Sequence, residues 1–98
     1  MNNFTVNISV NDCCSTKCCN SNREITRIIS STNDFIPLQN CFYIRILSVT
    51  ASYALIEITN GTIHFIRKAF LNIPFNLCLS DNCNNHCIVI YVNSIVIS

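Results

Sequence analysis

The sequence predicts an all-β chain, a jelly roll or β-sandwich of about seven to eight short strands, and three observations carry that expectation. Apolar and polar residues alternate with a period of two along most of the chain. β-Branched residues dominate, with 16 Ile, 6 Val and 7 Thr. The dipeptide Asn60-Gly61 stands between two alternating runs, which is a strong short-range hairpin signal. No stretch carries the 3.6-residue apolar period of a convincing helix. At 98 residues the chain has room for one modest core, and no internal repeat divides it.

Taken in order, Phe4 to Val10 alternates strictly, with Phe4, Val6, Ile8 and Val10 on one face, and reads as a half-buried strand. Asn11 to Asn22 has no apolar period and reads as a connector, so residues 1–22 are expected to form an N-terminal strand and cysteine-rich arm ahead of a body at 23–98. Glu24 to Ser31 is a strand, followed by a loop through Asn33-Asp34 and Pro37. Cys41 to Thr50 is a longer strand that sets Phe42, Ile44 and Ile46 against Tyr43, Arg45, Leu47 and Val49. Tyr53 to Thr59 and Thr62 to Lys68 flank the only glycine. A two-residue type I′ turn there would set Ile58 opposite Ile63, Ile56 opposite Phe65 and Glu57 opposite His64.

Phe70 to Leu79 alternates as well, with Pro74 marking a sheet edge or bulge and Cys78 on the polar face. Cys87 to Val92 and a short Ile95 to Ile97, parted by Asn93-Ser94, complete the set. The expected core is Ile44, Ile46, Ile56, Ile58, Ile63, Phe65, Ile73, Phe75 and Leu77.

Charge narrows the function. Lys plus Arg exceed Asp plus Glu by 6 − 5 = +1, so no net field recruits nucleic acid or an anionic membrane, and Arg67-Lys68 is too short for a phosphate-binding patch. Only 11% of residues are charged, and 15 Asn, 10 Ser and 7 Thr fill the polar positions. Such a surface suits a protein whose neighbours are copies of itself. The sequons at Asn3, Asn7 and Asn60 are expected by chance in this composition. No uncharged stretch is long and apolar enough for a membrane span, and the first residues lack the basic and apolar regions of a secretory signal.

Enzyme signatures are thin. A single glycine cannot build a phosphate loop, the acids are scattered, and His64 opposite Glu57 reads as an ordinary cross-strand pair. No catalytic residue, cofactor or small-molecule substrate is expected.

Eight cysteines remain. Cys83, His86 and Cys87 crowd one short loop and are the candidate ligands of an alternative, a small zinc-stabilised β binding module. The doublets Cys13-Cys14 and Cys18-Cys19 follow another logic. Neighbours on an extended chain point to opposite sides, so each doublet suits two different partners. Receiving thiols could be Cys41, Cys78, Cys83 and Cys87, while an intrachain Cys78 to Cys87 bridge is the alternative within one copy. The tethered strand at Phe4, Val6, Ile8 and Val10 could likewise fold onto its own body or add to a neighbour's sheet edge. Strand addition of that kind is heterologous and propagates into filaments.

The arm Cys13-Cys14-Ser15-Thr16-Lys17-Cys18-Cys19 ahead of a small β body, with late cysteines at Cys83 and Cys87, resembles the endospore appendage (Ena) fibre subunits of spore-forming bacteria. The resemblance implies a jelly-roll body and a self-assembling, disulfide-cross-linked extracellular fibre on a spore or cell surface. Its subunits are made without a secretory signal. It implies a connector role for Cys13, Cys14, Cys18 and Cys19, and an acceptor role for Cys41, Cys83 and Cys87.

Overall fold

The computed structural model describes residues 3–15, 20–79 and 85–98. Eight strands are formed: β1 Phe4–Ser15, β2 Asn20–Ile29, β3 Phe35–Pro37, β4 Tyr43–Val49, β5 Tyr53–Thr59, β6 His64–Phe70, β7 Phe75–Leu79 and β8 Asn85–Ile97. A 3-10 turn, Gln39–Cys41, leads into β4. The strands make two four-stranded sheets of order β2-β1-β8-β7 and β3-β4-β5-β6, with every ladder antiparallel. The expected class is therefore the one observed, an all-β sandwich. One sheet is a meander of β3 to β6, and the other joins the antiparallel pairs β1-β2 and β7-β8 through β1 against β8.

Each sheet turns its alternate residues inward, and the two faces meet as one core. Val6, Ile8, Val10, Ile29, Ile88, Ile90 and Val92 come from the first sheet; Ile36, Ile44, Ile46, Ala54, Ile56, Ile58 and Ala69 come from the second. β-Branched residues suit these positions because their stiff side chains lose little freedom on a pleated surface.

The largest correction concerns the N-terminus. β1 does not stop at Val10: it runs in register to Ser15, and its two edges are taken by β2 and β8. Residues 11–15 and 20–22, expected as a connector, thus extend two strands of the body, and no boundary between arm and body falls at residue 22. Val6, Ile8 and Val10 are buried in the core of their own chain, with Phe4 packed against it. Alternation continues through Asp12 because an inward polar residue is tolerated when it is hydrogen-bonded.

The remaining differences are local. In the Asn60-Gly61 hairpin, Thr59 pairs with His64 and Ile58 with Phe65, so four residues turn instead of two. Asn60 is the reason: its Oδ1 accepts from the backbone N–H groups of Thr62 and Ile63, at 2.9 and 2.8 Å, and Gly61 takes the left-handed φ of 95°. The two-residue slip preserves the faces but moves Ile63 into the turn, where it is exposed.

Phe70 to Leu79 is not one strand. Its chain turns at Asn72, whose φ is 61°, and the Asn72 N–H donates to the Val92 carbonyl as the path crosses between sheets. Ile73 is left exposed there, while Phe65, Phe75 and Leu77 lie partly buried at the core margin. The two late strands are one, β8, and the expected break at Asn93 is a bulge opposite Asn7 and Ile8. The Asn93 amide holds that bulge by donating to Ser9 Oγ at 2.8 Å and Asn7 Oδ1 at 3.2 Å.

Candidate functional site

The polar and sulfur chemistry of the described residues gathers where β1 ends, β8 begins and the 3-10 turn packs. Inside, Asp12 and His86 are both fully buried. They stand at inward positions of adjacent strands, one step off direct opposition, since Asp12 pairs with Ile88 and His86 with Cys14. His86 Nε2–H donates to Asp12 Oδ1 at 2.6 Å, and the Gln39 backbone N–H donates to Asp12 Oδ2 at 2.7 Å. The Gln39 side-chain amide returns to the Asp12 carbonyl at 2.8 Å. Asp12 therefore ties β1, β8 and the 3-10 turn together, joining the first sheet to the entry of the second.

Withdrawing a carboxylate and an imidazole from water costs several kcal/mol per group unless each finds partners. These bonds offset that cost for Asp12. His86 is served on one side only. Its ring lies edge-on to Phe42, with centroids 5.7 Å apart, and its buried Nδ1 has no hydrogen-bond partner.

On the outer face of the same strands lies a row of cysteines. Register places Cys13 of β1 opposite Cys87 of β8, and Cys87 opposite Cys78 of β7. Cys78 and Cys87 form a disulfide. Cys13 is an exposed free thiol on the other side of Cys87. A second exposed free thiol, Cys41, closes the 3-10 turn with a left-handed φ of 64°. Cys14 lies on β1, while Cys18, Cys19 and Cys83 fall outside the described residues.

Several expectations are thereby placed. Cys78 is exposed on the polar side of β7, as the alternation indicates, and its partner is Cys87 of the same chain. Of the zinc trio, Cys83 lies outside the described residues, His86 points into the core toward Asp12, and Cys87 points to the outer face with its sulfur in a disulfide. Consecutive strand residues face opposite ways, and that separates them. Reading residues 11–22 as a connector concealed Asp12 and the Cys13–Cys87 juxtaposition. The available signal was parity, because Asp12 continues the even positions of Phe4 to Val10 and His86 those of Ile88 to Val92.

A second polar cluster sits on the outer face of the other sheet. Glu57 accepts from Arg45 Nη2 at 2.8 Å and contacts His64 Nδ1 at 3.2 Å. His64 reaches it diagonally, because Ile66 is the residue directly opposite. Glu57 is itself largely buried, with its side chain 12% exposed, while Arg45 and His64 are about half exposed, so the cluster meets water through its cations and each pair is of modest energetic weight.

Neither family models, nor curated proteins, nor solved structures contain a match to this chain.

Proposed function

We propose that the chain is a structural subunit that self-assembles into a disulfide-cross-linked extracellular fibre, with copies of itself as its partner and no catalytic role. The observation that carries the reading is the pair of exposed free thiols, Cys13 and Cys41, at one end of a sandwich with very few charges. Both are sterically open to another chain, and disulfides between chains persist in an oxidising exterior.

The open sheet edges add support. β2, β7, β3 and β6 are the outermost strands, and unpaired edges template pairing with further chains. Apolar residues stand exposed beside them, Ile28 on β2 and Ile66 and Phe70 on β6 among them. Because β1 is absorbed into the body, the assembly we envisage joins edges and thiols and requires no inserted N-terminal strand. A repeating contact of this type is heterologous and propagates unless its rotation closes.

Heated, non-reducing electrophoresis of the purified chain, alongside negative-stain micrographs, tests the reading. The expected result is a ladder of oligomers that collapses to monomer with reductant, together with fibres on the grid. Monomer under both conditions and an empty grid would overturn it.

A further inference from the structure

Three cysteines in a row, only two of them bonded, are an arrangement with its own chemistry. Thiol–disulfide exchange proceeds when a thiolate attacks one sulfur of a disulfide and displaces the other, and it requires the three sulfurs to lie in line. The register of β1, β8 and β7 supplies such a line, with Cys13, Cys87 and Cys78 successive residues across one sheet face. Directly opposed residues in antiparallel strands hold their Cβ atoms about 4.5–5.5 Å apart, so a change of rotamer brings neighbouring sulfurs together. Cys13 is free and exposed, which leaves it available as the attacking thiol.

We infer that Cys13, Cys87 and Cys78 form an exchange site in which one disulfide moves between two positions, with Cys87 as the shared sulfur. The Cys13 thiolate forms a bond to the Cys87 sulfur, the Cys78–Cys87 bond breaks, and its electron pair leaves on Cys78 as a thiolate. One disulfide and one thiolate exist before and after, so no oxidant or reductant is consumed.

The two states differ in what they hold and what they show. With Cys78–Cys87 closed, the edge strand β7 is clamped to β8 and Cys13 is the exposed thiol. With Cys13–Cys87 closed, the clamp joins β1 to β8, and β7 keeps only its five-residue ladder. Cys78 then stands as a free thiol on a sheet edge, open to an external thiol or disulfide. The exchange is internal to one chain and holds whether or not the chain assembles.

The test maps disulfides in the monomeric fraction of the full chain, held without reductant at mildly alkaline pH, quenched in acid, alkylated and digested. Wild type is expected to yield peptides joined Cys78–Cys87 and peptides joined Cys13–Cys87 in one sample. Cys13→Ser should lose the second species and keep the first; Cys78→Ser should show Cys13–Cys87 alone. The inference is overturned if wild type contains Cys78–Cys87 only, or if Cys87 of Cys78→Ser is recovered alkylated or joined to another cysteine. The wild-type result decides the matter even if a variant does not fold.

Discussion

The two sheets of this sandwich are secured by different chemistry, although their inner faces are built from the same isoleucines and valines. In the first, β1 and β8 are long strands that carry a fully buried Asp12–His86 pair on the inside and a disulfide on the outside. In the second, shorter strands carry the Glu57 cluster with Arg45 and His64 on a solvated face. Burial separates the two polar groups. Asp12 and His86 are both shut off from water, so each depends on its partners, whereas Glu57, though largely buried, meets cations that stay half exposed and screened by solvent.

This contrast is broken most forcefully at Asp12. Asp12→Ala leaves the imidazole of His86 and the Gln39 N–H buried without their acceptor, and is expected to destabilise the fold by about 3–5 kcal/mol in urea unfolding. A loss below 1 kcal/mol would show that water replaces the carboxylate and that the site is not closed.

Smaller effects are expected at the disulfide. Its ends are nine residues apart, and the chain-entropy account gives about 2–3 kcal/mol for so short a loop. Cys87→Ser removes the central sulfur and should lose that amount. Cys78→Ser should lose less, because Cys13 can take its place. Equal losses from the two variants would place all the stabilisation in the observed bond.

The smallest effect belongs to the second sheet. Glu57→Gln keeps the shape and removes the charge, and a thermal melt should register about 1 kcal/mol or less, shrinking as salt is added. A salt-independent loss above 2 kcal/mol would mean that Glu57 is as isolated from water as Asp12.

Legibility followed local pattern. Phe42, Ile44, Ile46, Ile56 and Ile58 are buried where the alternation puts them, and Tyr53 to Thr59 is a strand with the expected ends. Errors arose where a polar residue occupied a structured position. Asn11, Asp12 and the cysteines have the composition of a connector, while their parity is that of a strand. Asn60 capped a turn with its side chain and lengthened it by two residues. Asn93 bulged within a strand that it had appeared to end. In each case an asparagine or aspartate side chain bonded to another group, and the identity of that group is a property of the fold.

By itself the sequence determined the class of fold, the faces of most strands and the shortage of charge, because period-two alternation and composition are local. It also determined that Cys78 faces away from the core. Tertiary structure alone decided that β1 closes against β8, that Asp12 meets a histidine 74 residues away, and that Cys13 lies beside a disulfide. Register between distant strands is set by the packing of whole faces against each other, and no window of neighbouring residues contains that information.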